Sequence, residues 1–499
     1  MFPKPESSIV ANTAAYETTP LVRPTGFREY DARWLFGSEL NLMGAQALGL
    51  GLGTLLHDLQ VPPDIVIAHD YRSYSASIKM AMATGLMAAG CRVHDIGLAV
   101  SPMAYFAQFE LDLPAVAMVT ASHNDNGWTG VKMGADRPVT FGPDEMGRLK
   151  EIVLSGAGIG RVGGQYRYVA GFAARYAADL VAGKALRHPL KAVVACGNGT
   201  AGMIAPGVLR AIGCEVIELD CELDHTFPNY NPNPEDMAML HAVADAVRRH
   251  GADVGLAFDG DGDRCGVIDD SGEEIFADKV GLLLARDLAA LHPGSHFVVD
   301  VKSTGLFATD PELKRHGATV DYWKTGHSYI KRRVREAGAR AGFEKSGHFF
   351  FNAPIGRGYD DGLIAAIAVC EMLDRNPGQA LSGLRAALPV SWQSPTMSPH
   401  CADEDKYDVV DRVTAHFAAR ADARQKVANQ AVREINTING IRIVLEDGTW
   451  GLVRASSNKP ELVVVVESPS SEGNMRAIFK EIDAFLAGQP EVGAYNQKI

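Results

Sequence analysis

Short apolar runs alternate with segments of helical periodicity along most of the chain, and polar residues follow directly after many of the runs. An apolar run of four to eight residues is consistent with a strand buried on both faces, whereas an apolar stripe at helical spacing predicts an amphipathic helix. This alternation is typical of α/β domains with largely parallel sheets. Strands are predicted at 64–68, 115–119, 191–195, 254–258 and 296–301, and a helix at 77–89.

The pattern changes toward the C-terminus, where a polar helical segment at 404–424 precedes apolar runs at 441–445 and 462–466. Stretches rich in glycine or proline, which interrupt regular structure, occur at 155–164 and at 388–399. We therefore expect three related α/β domains with mixed sheets and a smaller C-terminal α+β domain. The predicted domains are 1–165, 166–272, 273–388 and 389–499.

Composition and charge narrow the class of protein. A chain of 499 residues is longer than one hydrophobic core usually serves, and its formal net charge of -12 argues against nucleic acid or an anionic membrane as the main partner. The seven cysteines are scattered without a C-x-x-C pair, which predicts free thiols in a reducing compartment. No apolar run has the length of a membrane span, so a cytoplasmic protein is expected.

The segment 259–264, with the sequence DGDGDR, predicts a divalent cation site. Asp259, Asp261 and Asp263 follow a predicted strand at alternate positions, and the glycines between them allow the three side chains to converge. Such oxygen ligands favour Mg²⁺, Mn²⁺ or Ca²⁺ over Zn²⁺. A plain acidic turn is less favoured, because the carboxylates would repel one another. An EF-hand is disfavoured, since Arg264 occupies the loop position that requires glycine.

A polar loop is predicted over 120–132, after the strand at 115–119. Ser122 in this loop is a candidate helix cap or a candidate functional hydroxyl. His123 is adjacent, and neighbouring side chains of an extended chain point apart, which argues against a Ser–His dyad. Lys132, at the end of the loop, is expected to contact an anion carried by Ser122.

Four ordered motifs give the chain a resemblance that spans it from about residue 25. They resemble the site loops of the α-D-phosphohexomutase superfamily, and they are TASHN at 120–124, DGDGDR at 259–264, EKSGH at 344–348 and RASSNKPE at 454–461. Further similar segments are FREYDAR at 27–33, KTGHS at 324–328 and GYDDG at 358–362. Within the superfamily, the chain most resembles the bacterial phosphomannomutase/phosphoglucomutase group.

The resemblance implies an intramolecular phosphotransferase with its domains around a central cleft. It implies that mannose or glucose phosphates are interconverted between the 1- and 6-phosphates through a phosphoserine and a bisphosphorylated sugar. Ser122 would carry the phosphoryl group, and Asp259, Asp261 and Asp263 together with Ser122 would bind Mg²⁺. The cation would make a phosphate beside three carboxylates tolerable.

The remaining site residues follow from the same resemblance. The implied catalytic residues besides Ser122 are Arg33, Lys132, Arg264, Lys302 and His327. His327 is the expected general acid/base, because an unperturbed imidazole titrates near neutral pH. The implied sugar-binding residues are Glu344, Ser346 and His348, and the implied phosphate-binding residues are Arg454, Ser456, Ser457, Asn458 and Lys459. The order Ser456-Ser457-Asn458 departs from the Ser-Asn-Thr order of related chains.

Three other functions compete with this one. A phosphoglucosamine mutase would use the same motifs on an amino sugar, and a metal-dependent sugar phosphatase would release the phosphate to water. A sugar-phosphate binding protein would keep Glu344 and Arg454 but would not need the serine and carboxylate loops. In each case the expected partner is a small phosphosugar, with no nucleic acid or membrane, and the protein is expected to be a monomer or a homodimer.

Overall fold

The computed structural model describes residues 3–499 and divides into two compact units. The first unit contains the chain up to Val280 together with Ser346–Gly383. The second unit contains Gly281–Lys345 together with Leu384–Ile499. Within residues 3–499, no helix combines the length and the apolar character needed to cross a membrane.

Strands and helices alternate through most of the described chain. The strands are β1 (Ala32–Leu35), β2 (Asp64–His69), β3 (Arg92–Leu98), β4 (Ala115–Val119), β5 (Trp128–Gly134), β6 (Gln165–Tyr168), β7 (Leu190–Ala195), β8 (Cys214–Leu219), β9 (Val254–Phe258), β10 (Cys265–Asp269), β11 (Glu274–Ile275), β12 (His296–Asp300), β13 (Thr319–Trp323), β14 (Ala341–Phe343), β15 (Phe349–Phe351), β16 (Trp392–Gln393), β17 (Val432–Asn436), β18 (Ile441–Leu445), β19 (Trp450–Ala455) and β20 (Leu462–Ser468). The α-helices are α1 (Ala14–Thr18), α2 (Leu42–Asp58), α3 (Ser75–Ala88), α4 (Ser101–Glu110), α5 (Pro143–Ser155), α6 (Phe172–Val181), α7 (Ala205–Ala211), α8 (Met237–His250), α9 (Ala277–Leu291), α10 (Leu306–Thr309), α11 (Pro311–Arg315), α12 (His327–Glu336), α13 (Gly362–Arg375), α14 (Leu381–Ala386), α15 (Lys406–Asp422) and α16 (Glu472–Leu486).

The first sheet has the strand order β1-β5-β4-β2-β3-β6 and is mixed. Strand β2 pairs in parallel with β3 and β4, whereas β5 pairs antiparallel with β1 and β4. Strand β4 is apolar and buried along its whole length, as expected for a strand covered on both faces. Because the carboxyl ends of β2 and β4 lie at one edge of the sheet, the loops after His69 and after Val119 are neighbours.

The second sheet has the order β11-β10-β9-β7-β8 and is also mixed. Strand β7 pairs in parallel with β8 and β9, and β9 continues through a tight turn into the antiparallel strand β10. The turn contains the predicted metal-binding segment, with Phe258 opposite Cys265 in the strand register. The side of the sheet that carries Val193, Ala257 and Ile268 packs against the apolar face of α8.

In the second unit, β12 pairs in parallel with β13 and with β14. The C-terminal sheet has the order β16-β20-β19-β18-β17, and its neighbouring strands pair antiparallel. Strands β18, β19 and β20 are buried along their whole length, and helices α15 and α16 supply the rest of that core. The three α/β domains with mixed sheets and the smaller α+β domain predicted from the sequence pattern are therefore confirmed.

One predicted loop is wrong in extent. Residues 128–132 are predicted to end a polar loop, but they belong to β5, which lies between β1 and β4. The sequence does not show this strand as an apolar run, because it contains the polar residues Thr129 and Lys132, which the fold buries. The predicted free thiols are confirmed, since all seven cysteines lie in the described part of the chain and each is buried without a disulfide.

Candidate active site

Ser122 lies in the loop after β4 and is 2% exposed. Its φ of +52° is in the left-handed region, which residues other than glycine rarely adopt. The Oγ atom donates a hydrogen bond to Asp259 Oδ2 over 2.9 Å and lies 3.2 Å from His123 Nδ1. The expectation that the Ser122 and His123 side chains point apart is therefore wrong, because the left-handed turn replaces the extended chain on which it was based.

Asp259, Asp261 and Asp263 converge, as the spacing of the motif predicted. All three side chains are fully buried, and each offers an oxygen within 4.8 Å of the others. Gly262 has a φ of +73°, which allows the reversal between β9 and β10. Gly260 allows the two loops to pack closely, because a Cβ at that position would lie 2.5 Å from the carbonyl oxygen of Ser122.

Lys132 pairs with the same carboxylates. Its Nζ atom lies 2.7 Å from Asp261 Oδ2 and also donates to Asp263 Oδ2. Burial disfavours the charged form, but the charges of Asp261 and Asp263 outweigh burial and raise the pKa of Lys132 well above its ordinary value. The contact that was expected between Lys132 and an anion on Ser122 stays a prediction.

The first two carboxyl groups of the motif, those of Asp259 and Asp261, differ in their surroundings. Burial and the charges of Asp263 and Asp261 raise the pKa of Asp259 well above its ordinary value. Burial acts in the same direction on Asp261, but the Lys132 charge and hydrogen bonds from Lys132 and Ser101 hold its pKa below the ordinary value. The cluster is therefore only partly neutralised by the basic side chains around it.

The donor atoms of the cluster are suited to binding a divalent cation. Asp261 Oδ1 and Asp263 Oδ1 are buried, and within residues 3–499 neither accepts a hydrogen bond. Buried carboxylate oxygens normally have a partner, so these two atoms are available as ligands. Three carboxylates without nitrogen or sulfur donors suit a hard cation.

His348 lies beside the cluster, with Arg264 near one ring nitrogen and two carboxylates near the other. Arg264 Nε donates to His348 Nε2 over 3.0 Å, and His348 Nδ1 lies 3.0 Å from Asp360 Oδ2. Asp263 Oδ1 is 3.7 Å from the same Nδ1 atom. Asp263, His348 and Asp360 thus form a second buried group whose possible ligand atoms lie within 4.8 Å of one another. Ser346, which is half-buried, belongs to the first unit together with His348.

Arg33 and a buried Asp–Arg pair hold the loop that carries Ser122. Arg33 binds Asp31 with two nitrogens and donates to Ala121 O over 3.2 Å. Arg72, which pairs with Asp70, donates through Nη2 to Ser122 O over 2.9 Å. On the other side of the residue, Ser122 N–H donates to Thr120 Oγ1, whose hydroxyl donates to Asp70 Oδ2 over 2.8 Å. A closed ring of hydrogen bonds thus fixes both peptide groups of Ser122.

In the second unit, Lys302, His327 and Glu344 lie after the carboxyl ends of β12, β13 and β14. All three are buried, and His327 is the first residue of α12. Glu344 Oε1 accepts a hydrogen bond from Gly326 N–H over 2.6 Å. These loops share one edge of a parallel sheet, which is where ligands of open α/β sheets bind.

The phosphate-binding motif predicted in the C-terminal domain forms the turn between β19 and β20. Arg454 is buried, and its Nη1 donates to Ala455 O over 2.6 Å, while its Nε has no acceptor within residues 3–499. Lys459 N–H donates to Ser456 Oγ over 3.2 Å. Ser457 is buried, Asn458 is half-buried and Lys459 is exposed.

Sequence reasoning missed several side chains that complete these sites. Lys406, which is buried, donates to the carbonyls of Ser456 and Lys459 and brings a second positive charge under the Arg454 turn. Asp70 and Arg72 follow β2 directly, so the rule that flagged other strand ends would have found them. Ser101 gave no such signal, because it reaches Asp261 from a distant segment. Asp360 lies in the segment GYDDG at 358–362, which the sequence analysis named without assigning that residue a role.

Four family models match the chain in succession. They are the phosphoglucomutase/phosphomannomutase alpha/beta/alpha domain I at residues 24–157, domain II at 167–272, domain III at 276–391 and the C-terminal domain at 401–485. Together they span the predicted motifs from FREYDAR to RASSNKPE. The four predicted domain boundaries remain predictions.

Individual relatives match over nearly the whole chain. A phosphomannomutase/phosphoglucomutase of Pseudomonas putida is 34% identical over 89% of this chain and 92% of its own length. A phosphomannomutase of Salmonella montevideo is 33% identical over 92% of this chain and 98% of its own length. The crystal structure of a Burkholderia thailandensis phosphoglucomutase/phosphomannomutase family protein superposes with a TM-score of 0.84 at 30% identity, covering 95% of this chain and 99% of that one.

Proposed function

Because the chain belongs to the phosphoglucomutase/phosphomannomutase family, we propose that it is a mutase that moves a phosphoryl group between C1 and C6 of an α-hexose. Mannose phosphate, glucose phosphate or both are the proposed substrates. The reaction runs through a phosphoserine and a bisphosphorylated sugar, so that no phosphate is lost to water.

One observation carries the proposal, namely the hydrogen bond of 2.9 Å from Ser122 Oγ to Asp259 Oδ2 in a buried cluster of three carboxylates. A serine hydroxyl is a weak nucleophile, and the cluster gives it a place beside a cation. The strained φ of Ser122 and the ring of hydrogen bonds around it support a fixed rather than a mobile hydroxyl.

The proposed transfer begins with Ser122 phosphorylated. A sugar hydroxyl attacks phosphorus, the new phosphorus–oxygen bond to the sugar forms, the bond to Ser122 Oγ breaks, and the hydroxyl proton passes to His327. The bisphosphorylated sugar then returns its other phosphoryl group to Ser122 Oγ, and the leaving sugar oxygen takes a proton back from His327. Arg33, Arg264 and Lys302 would offer positive charge to the phosphoryl oxygens, and Lys132 would keep its ammonium at the carboxylates.

Mg²⁺ is the proposed cation, held by Asp259, Asp261 and Asp263 and by the oxygen of Ser122. When bound, it offsets the negative charge on the transferred phosphoryl group. The two buried carboxylate oxygens without hydrogen bonds support this assignment.

The phosphate that is not being transferred needs a separate binding site. We assign it to Arg454 and to the turn that contains Ser456, Ser457, Asn458 and Lys459, where the free Nε of Arg454 and the charge of Lys406 favour an anion. Glu344, Ser346 and His348 are the proposed contacts to the sugar, because carboxylate and imidazole groups accept from or donate to hydroxyls according to their stereochemistry.

The proposal is tested with the purified full-length protein, Mg²⁺ and either glucose 1-phosphate or mannose 1-phosphate, with a trace of the bisphosphorylated sugar. Formation of the 6-phosphate is followed by a coupled dehydrogenase assay, and inorganic phosphate is measured in parallel. We expect the 6-phosphate without stoichiometric phosphate release, and a fall in turnover of on the order of 10³-fold in Ser122→Ala.

Other outcomes identify the rival functions. Phosphate release as the main reaction would make the protein a phosphatase, and turnover of glucosamine 6-phosphate above both hexose phosphates would make it a phosphoglucosamine mutase. Turnover of Ser122→Ala within tenfold of the wild type would reject Ser122 as the phosphoryl carrier.

A further inference from the structure

Asp300, the last residue of β12, binds three different loops of the second unit. Its side chain is fully buried. Oδ1 accepts from Ser303 Oγ over 2.5 Å and from Lys345 N–H over 3.2 Å, while Oδ2 accepts from Thr325 Oγ1 over 2.9 Å. A single carboxylate thus receives hydrogen bonds from the chain after β12, after β13 and after β14.

Each of the three donors is next to, or two residues from, a proposed site residue. Ser303 follows Lys302, Thr325 precedes His327 by two positions, and Lys345 follows Glu344. The second and third loops are joined once more, because Glu344 Oε1 accepts from Gly326 N–H over 2.6 Å. Asp300 therefore anchors the three loops that carry Lys302, His327 and Glu344. These residues are the proposed positive charge at the phosphoryl group, the proposed acid/base and a proposed sugar contact.

We infer that Asp300 is a positioning residue that sets the spacing of Lys302, His327 and Glu344, and with it the choice between epimeric hexose phosphates. The inference rests on the proposed mutase function. Asp300 is assigned no contact with substrate. A carboxylate has acceptor sites only, so all three donors must point at it, and this fixes the three loops relative to one another. A displacement of a reacting group by about 1 Å can cost on the order of 10²-fold in rate.

A purely structural carboxylate would behave differently, and the same unit contains one for comparison. Asp310 is also fully buried, and it accepts from Glu312 N–H and Leu313 N–H, each over 3.0 Å, at the start of α11. It pairs with Arg286 over 2.7 Å, and within residues 3–499 its side chain makes no hydrogen bond to the three loops. Its replacement should lower stability without moving Lys302, His327 or Glu344.

The test compares wild type, Asp300→Ala, Asp300→Asn, Asp310→Ala and Asp310→Asn, using glucose 1-phosphate and mannose 1-phosphate as substrates. We measure kcat and KM for each sugar and the thermal midpoint of each variant. Asp300→Ala should lower kcat/KM by on the order of 10²-fold and change the ratio between the two sugars by about threefold or more. Asp300→Asn should recover part of the loss, since an amide still accepts from one loop and can donate to a hydroxyl.

The Asp310 variants should keep kcat, KM and the sugar ratio within about twofold at a temperature below their thermal midpoints. Should Asp300→Ala fail to fold, the comparison of Asp300→Asn with Asp310→Asn decides. The inference is overturned if folded Asp300 variants keep the wild-type constants and sugar ratio, or if the Asp310 variants show the same losses. A wild-type protein without mutase turnover would overturn the proposed function itself, which is a separate result.

Discussion

Ser122 occupies a backbone conformation that costs on the order of 1 kcal/mol for a residue with a Cβ. The hydrogen bonds from Arg72 to its carbonyl and from its own N–H to Thr120 keep it there. Because both bonds lead back to Asp70, the loop and the end of β2 form one rigid support. The conformation is useful only if the hydroxyl needs a fixed direction, and the contact with Asp259 supplies that direction.

Replacement of Arg454 should impair substrate binding more than it impairs turnover. Its guanidinium can bind a phosphate through two parallel hydrogen bonds that are the same before and during the transfer at the other end of the sugar. We therefore expect Arg454→Ala to raise KM by about tenfold or more and to lower kcat by a smaller factor. Steady-state kinetics with the 1-phosphate measure both constants.

The control for this substitution is Arg433→Ala, which removes an exposed arginine from β17 of the same sheet. It should leave both constants within about twofold of the wild type. A KM of Arg454→Ala equal to that of the wild type would contradict the holding role.

At the scale of elements, the site loops could be read from the sequence because their strands are continuous apolar runs. The strands predicted at 115–119 and 254–258 coincide with β4 and β9. The polar segments that follow these strands contain Ser122 and Asp259. Strand β5 was not recognised, since its buried Lys132 and Thr129 look like loop residues until Asp261 and Asp263 are placed beside the lysine. A buried charge is visible in a sequence only when its partner is already known.

The turn between β9 and β10 should tolerate no side chain at Gly260. A methyl group there would lie 2.5 Å from the carbonyl oxygen of Ser122, so that one of the two loops would have to move. We expect Gly260→Ala to reduce turnover by about tenfold or more and to destabilise the protein by about 1–3 kcal/mol. Turnover and urea unfolding are the measurements.

Gly207→Ala is the matched control, because a Cβ at that position in α7 meets no atom within 4 Å. It should leave turnover unchanged and stabilise the protein by about 0.5–1 kcal/mol through helix propensity. Wild-type turnover in Gly260→Ala would show that the two loops need not approach closely.

At the scale of the whole molecule, the sequence predicted which segments carry the chemistry, and the fold determined how they are supported. The motifs at 120–124 and 259–264 are 135 or more positions apart, and their contact follows from strand ends in two sheets. Ser101 and Asp300 were not predicted, since each acts through a partner that becomes adjacent only after folding. Their roles depend on tertiary contacts, which local patterns do not encode.

A divalent cation bound at the buried carboxylate cluster would make the stability of the folded protein depend on the cation concentration. A ligand that binds only the folded state adds RT ln(1 + [L]/Kd), or about 2.7 kcal/mol at a concentration of one hundred times Kd. We expect Mg²⁺ to raise the thermal midpoint by several degrees and a chelator to reverse the rise and abolish turnover. Asp263→Asn, which removes one of the buried ligand oxygens, should abolish most of the shift. Asp253→Asn, at the exposed aspartate immediately before β9, should retain it. An equal Mg²⁺ shift in both variants would place the cation somewhere other than at Asp259, Asp261 and Asp263.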